Sequence, residues 1–197
     1  MRIQLALLTA IALSTAAFSA DVEVIVHTPD GAPVANAVVS VPGDLSAVPA
    51  PAEMPSMEQR DQQFNPFVLV VREGAEVVFP NRDRVRHHVY SFARGNRFEL
   101  ELYGREEERT VRFEVAGGVP IGCNIHDDML AFIRVVDTPH AVVTDATGTA
   151  RLTGISDGAQ TVTVWHPYAR GRNNLVTAEM ADGQDRLEVV IDITAPD

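Results

Sequence analysis

Beyond residue 20 the chain is a succession of short runs that alternate apolar and polar residues, punctuated by turn formers, with no convincing amphipathic helix. Successive side chains of a strand point to opposite faces, so each run has one face to bury and one to wet. Strands are expected at 22–26 and 37–41, then at 67–71, 76–79, 87–92, 98–103, 110–115 and 130–136. Five more are expected at 141–144, 149–152, 161–165, 175–180 and 186–193. Phe98, Leu100 and Leu102 share one face, as do Val111, Phe113 and Val115, while Glu99, Glu101, Arg112 and Glu114 take the wet face. Glu106, Glu107 and Glu108 read as a solvated hairpin between those two strands. Asp30-Gly31, Asp157-Gly158 and Asp182-Gly183 supply turns. The fold class is all-β.

Residues 1–20 read as a secretory leader. Arg2 supplies a minimal basic start, 3–12 is almost wholly apolar, and the stretch closes in small residues with cleavage after Ser19 or Ala20. The apolar run is too short for a comfortable membrane span, and no second one follows. The expectation is a soluble exported, periplasmic protein; an uncleaved anchor is the alternative. The net charge of −11 becomes more negative once Arg2 is removed, which argues against a nucleic-acid partner. Residues 42–56 carry four prolines and no periodicity, and read as a linker. The chain divides into a short β piece (21–41), this linker, a β block (57–136) and a longer β piece (137–197).

An exported protein normally pairs its cysteines, and this one has only Cys123. Its surroundings, Gly122-Cys123-Asn124-Ile125-His126-Asp127-Asp128-Met129, give Cys-x2-His-x2-Met. A thiolate, two imidazoles and a weak axial thioether form the donor set of a type 1 (blue) copper site. The loop offers three of these, and the second imidazole has to come from elsewhere. Asn81-Arg82-Asp83-Arg84-Val85-Arg86-His87-His88-Val89 offers two candidates, His87 and His88. Neighbouring residues of one strand face opposite ways, so one metal does not readily take both. Alternation alone favours His88, which shares the more apolar face with Tyr90 and Phe92. Structural zinc prefers more thiolates and rarely recruits Met. His27, His140 and His166 have no partner motif and read as structural.

The block Phe64-Asn65-Pro66, Val71-Arg72-Glu73-Gly74, Val77-Val78-Phe79-Pro80-Asn81 and His87-x-Val89, with the late Cys-His-Met loop, resembles the cupredoxins, and amicyanin most in its short loop spacing. The resemblance covers roughly 57–136. It implies copper (Cu(I)/Cu(II)) held by His87, Cys123, His126 and Met129, and a Greek-key β-sandwich. Cupredoxins usually have Asn after the first ligand His, where its side chain braces the Cys loop; here His88 stands there. Asp127 and Asp128 depart from a loop that is often apolar in the family.

The outer pieces resemble a second family, the carboxypeptidase regulatory-like (prealbumin-like) β-sandwich. This likeness rests on 30–41, on Thr144-Asp145-Ala146-Thr147-Gly148, on Leu152-Thr153-Gly154-Ile155 and on 158–164. Together the two likenesses imply a cupredoxin-like sandwich inserted in, or joined to, a prealbumin-like one. The function they imply is one-electron transfer between redox proteins. Asp127 and Asp128 beside His126 would attract a partner with a cationic docking patch, and six histidines do not supply the further clusters that copper oxidases and nitrite reductases need, so no enzymatic turnover is expected. Exported proteins of this layout are often labelled methylamine utilisation proteins. A copper carrier or sensor is the alternative. If 1–20 is a leader, the exported protein begins at Ala20 or Asp21; an intact mass that still contains Met1 to Ala17 would contradict that reading.

Overall fold

The computed structural model describes residues 19–156 and 158–194; the leader proposed for 1–20 thus lies almost wholly outside the described residues. The strands are β1 (Ser19–His27), β2 (Val38–Val41), β3 (Glu58–Arg60), β4 (Gln63–Asn65), β5 (Val68–Arg72), β6 (Ala75–Pro80), β7 (His87–Ser91) and β8 (Phe98–Tyr103). They continue as β9 (Glu108–Phe113), β10 (Gly117–Cys123), β11 (Leu130–Val136), β12 (His140–Val143), β13 (Thr149–Ser156), β14 (Gln160–Trp165), β15 (Leu175–Met180) and β16 (Arg186–Val190). Among the described residues the only helices are two single 3-10 turns, at Leu45–Ala47 and Arg172–Asn174.

Two layers enclose the first core: a three-stranded sheet in the order β13-β1-β16 and a four-stranded sheet in the order β12-β2-β14-β15. Val22, Val24 and Val26 alternate inward along β1 and meet Val39, Val41, Val162 and Val164. Glu23 stands on the outer face of β1, opposite Arg151 of β13 and Arg186 of β16. It pairs with both, at 3.0 and 3.1 Å. Such exposed pairs contribute little stability, but a register slip of one residue would send Val24 outward and Glu23 into the core, so the alternation fixes the register.

A five-stranded sheet in the order β5-β11-β10-β7-β8 and the pair β6-β9 form the second unit, with the β3–β4 hairpin against it. Phe79, Phe113, Tyr103, Ile121, Ile133 and Met57 fill its core. A third, smaller cluster of Val38, Val68 and Trp165, with Phe67, Phe132 and Leu175 against it, joins the two units. The Trp165 ring lies so close to Gly118 of β10 that a Cβ there would come within 2.9 Å of it.

Five sequence expectations change. The strand β10 was not expected, because Gly117, Gly118 and Pro120 break the β pattern. It is nevertheless the central strand, and Pro120 is tolerated because pairing with β7 begins only at Gly122. The short polar strands β3 and β4 were also missed; Asp61 and Gln62 form their two-residue turn, both at φ 55°. Glu106 to Glu108 do not close a hairpin: β8 pairs with β7 and β9 with β6, so the segment crosses between sheets. The covered face of β7 is His87, Val89 and Ser91, not His88, Tyr90 and Phe92. Phe92 is 67% exposed, because the core of this unit lies on the His87 side. A bulge between β7 and β8 also interrupts the alternation of β8, leaving Leu102 exposed and Tyr103 buried.

In the outer sandwich His166 is buried, accepting a hydrogen bond at Nδ1 from the Tyr168 N–H at 3.2 Å. Burial pushes its pKa down to about 4, against the opposing effect of the Ala35 backbone. Between the ordinary value of 6.5 and about 4, the unfolded chain takes up a proton that the folded one refuses. This contribution therefore destabilises the fold as pH falls through that window, by up to about 1.4 kcal/mol per pH unit, and levels off below it. Urea unfolding of the wild type and His166→Asn at several pH values should show a difference in slope confined to that window.

Candidate metal centre

The strands β10 and β11 are antiparallel neighbours, and Gly122 stands opposite Leu130. Their pairing pins both ends of the loop between Cys123 and Leu130. Cys123 ends one strand, and Met129 precedes the other; its N–H donates to the His126 carbonyl at 3.1 Å. The loop is tied sideways to β7 by the Asn124 N–H, which donates to the carbonyl of His88 at 3.1 Å. The bracing contact expected of the residue after His87 is therefore made, but by backbone instead of a side chain.

His87, the first residue of β7, is fully buried. Its Nδ1 is 3.8 Å from Cys123 Sγ, and His126 Nδ1 is 3.6 Å from the same sulfur. The three donor atoms lie within 4.8 Å of one another, and the imidazole centroids are 5.0 Å apart. Metal–donor bonds of about 2.0–2.3 Å around one trigonal ion would separate the donors by roughly 3.5–4.0 Å, so the sulfur–nitrogen distances fit a shared ion. Among the described residues this is the one such group of His, Cys, Asp and Glu side chains. Met129 is buried in the same core cluster as Cys123. A soft thiolate and two imidazoles, with a methionine in the same core cluster, suit copper in both oxidation states better than they suit zinc or a hard cation.

His126 is partly exposed, and Asp127 and Asp128 beside it are exposed. His88 is not in the cluster. Its Nε2 lies 3.0 Å from Glu99 Oε1 on the other face of β7, and its Nδ1 is buried without a hydrogen-bond partner. His27, His140 and His166 are not in it either.

Behind His87 lies a polar cluster that sequence reasoning missed. His87 Nε2 is 2.7 Å from Asp83 Oδ2. The same carboxylate accepts from the Asp61 N–H at 2.6 Å and the Gln62 N–H at 3.0 Å. Asn81, fully buried, accepts from the Asp83 N–H at 2.8 Å and donates to the carbonyls of Val85 and Tyr103. The Tyr103 hydroxyl donates to buried Gln59. Burial lowers the His87 pKa, with Asp83 opposing. Burial alone would raise that of Asp83, but the bonds from Gln62, His87 and Asp61 outweigh it and hold the carboxyl below its usual range. In sequence Asp83 sits in a run of arginines that reads as a solvated loop; only its place four residues before His87 hinted otherwise.

No family model matches the chain, and no curated protein matches it. Several solved structures do. A purple cupredoxin from Nitrosopumilus maritimus is 17% identical, with a TM-score of 0.38, over 42% of this chain and 99% of its own. An amicyanin variant in its reduced Cu(I) form is 19% identical, with a TM-score of 0.41, over 50% of this chain and 98% of its own. A copper-containing nitrite reductase from Thermus scotoductus SA-01 is 24% identical, with a TM-score of 0.42, over 49% of this chain but only 27% of its own.

Proposed function

We propose that this chain is a periplasmic type 1 copper protein that carries single electrons between redox partners, without turnover of a substrate of its own. The observation that carries the reading is the convergence of His87 Nδ1 and His126 Nδ1 on Cys123 Sγ at 3.8 and 3.6 Å. His87, Cys123 and His126 would hold the ion, with Met129 as the weak fourth donor. Bound copper would supply a one-electron couple between Cu(I) and Cu(II).

The residues of the chain do the rest. The strand pairing beneath the loop holds the thiolate and limits how far the donors can move between oxidation states, which keeps reorganisation small. Burial of Cys123 shields the sulfur from oxidation and from other thiols. His126 lies nearer the solvent than His87, and is the natural place for an electron to enter or leave. Asp127 and Asp128 flank it, and with the net charge of −11 they favour a redox protein with a cationic docking patch. No helix among the described residues is long and apolar enough to cross a membrane.

In this reading residues 57–136 are a cupredoxin-like unit inserted between the two halves, 21–41 and 137–197, of a prealbumin-like sandwich. Separate cores on either side of the Trp165 cluster support the division. A copper carrier or sensor that holds Cu(I) without cycling uses the same ligands, and reversible voltammetry separates it from an electron carrier.

The copper-loaded protein should show an intense visible thiolate-to-Cu(II) band. Cys123→Ser should abolish it. His87→Ala should abolish or radically alter it, whereas His88→Ala should leave it recognisable. The reverse result for the two histidines would reassign the ligand, and a wild-type protein without the band would sink the reading.

A further inference from the structure

The donor cluster needs nothing from Asp83 in order to place three donors together, yet this carboxylate is among the most fully bonded polar groups in the unit. It is only 9% exposed and sits against the nitrogen of His87 that faces away from Cys123. We propose that Asp83 is a positioning residue for the metal site. It fixes the proton of His87 on Nε2, so that Nδ1 always presents a lone pair toward Cys123, and it biases the site toward the more highly charged state of a bound copper ion. This deepens the proposed function and rests on His87 being a ligand.

The first part follows from what the groups can do. An ionised carboxylate only accepts hydrogen bonds, and the neutral imidazole has one N–H. With Asp83 Oδ2 2.7 Å from Nε2, the proton belongs there, and Nδ1 is left as the acceptor 3.8 Å from the sulfur. The alternative tautomer would set two lone pairs against each other at Nε2 and turn an N–H toward the metal position.

Two further groups hold Asp83 in this role. Asp61 and Gln62, the two turn residues of the β3–β4 hairpin, both have φ 55° and aim successive N–H groups at the carboxylate. Consecutive N–H groups converging in this way form a small anion cradle. From the other side, Asn81 fixes the Asp83 backbone through a bond of 2.8 Å to its N–H. The hairpin, otherwise a short polar excursion, thereby becomes part of the support of a ligand carried on a different strand. Its turn lacks the Asn-Gly signature of a two-residue hairpin loop, and the carboxylate gives these non-glycine residues a reason to stay left-handed.

The second part follows from charge. A carboxylate hydrogen-bonded to a ligand imidazole makes it a stronger donor, and a negative charge one ring away from the ion favours the divalent over the monovalent state. Asp127 and Asp128, in contrast, stand in water, where salt screens them.

The test uses the metal-free and copper-loaded protein with Asp83→Asn, which keeps the shape and removes the charge. In metal-free wild type, 15N-resolved NMR of the imidazole nitrogens should find His87 as a single tautomer protonated at Nε2. A wild-type His87 protonated at Nδ1 would overturn the proposal without any variant. In Asp83→Asn that tautomer should lose its exclusivity. Cu(II) affinity should fall 10- to 100-fold, with a clearly smaller fall for Cu(I) and hence a higher reduction potential. Equal loss for the two ions, or none, would show Asp83 to be a loop brace only. Absence of copper binding in wild type would instead remove the functional reading and leave the tautomer result standing on its own.

Discussion

The antiparallel pairing of β10 with β11 is the constraint on which the site depends. It sets Gly122 opposite Leu130, so the six residues between Cys123 and Leu130 must turn within the width of one strand pair. A thiolate at the end of one strand and a thioether just before the next are brought to the same end of the sheet by covalent geometry and ladder hydrogen bonds alone. No side-chain attraction is needed to assemble them. His126 has nowhere to go but over that turn. His87 completes the group because β7 joins β10 only at the last two positions, where Tyr90 faces Gly122 and Val89 faces Cys123. The Tyr90 ring covers Gly122 so closely that a Cβ there would lie 2.9 Å from it. Glycine before the cysteine thus leaves the room in which the Tyr90 ring lies over the strand.

Much of this was legible in the sequence, and the reasons are local. Cys123, His126 and Met129 lie within seven residues, and most strands announce themselves through alternation, as 22–26 does with its three valines. The unreadable parts depend on what lies on the other side. The β7 alternation cannot tell which face is covered when one face carries His88, Tyr90 and Phe92 and the other His87, Val89 and Ser91; only the second layer decides. The glycines and proline of β10 look like loop chemistry until β11 is seen to pair with them. Asp83 looks solvated among arginines, yet it is buried because the β3–β4 hairpin, itself too short and polar to recognise, closes over it.

Polar burial is unequally divided between the two units. The outer sandwich has a core of valines with alanine, isoleucine, leucine and one methionine, and the charges about Glu23 are paired in water, where they decide register more than stability. The inner unit buries Gln59, Asn81, Asp83 and His87 in one connected cluster. Every hydrogen bond in such a cluster is worth more than at the surface, and every missing one costs more. A buried polar network of this kind is exacting about geometry, and it holds a side chain to one orientation in a way that dispersion contacts among valines do not.

The contact of Trp165 with Gly118 has a mechanical side. Gly118 lies near the start of β10 and Cys123 at its end, about 17 Å further along at the usual strand rise. One sandwich therefore grips a strand by its root while the other uses the tip. A strand hydrogen-bonded along its length to β11 is stiff in its own direction, so it acts as a strut between the joint and the sulfur. The Trp165 contact and Cys123 thus share one continuous strand, with no loop between them.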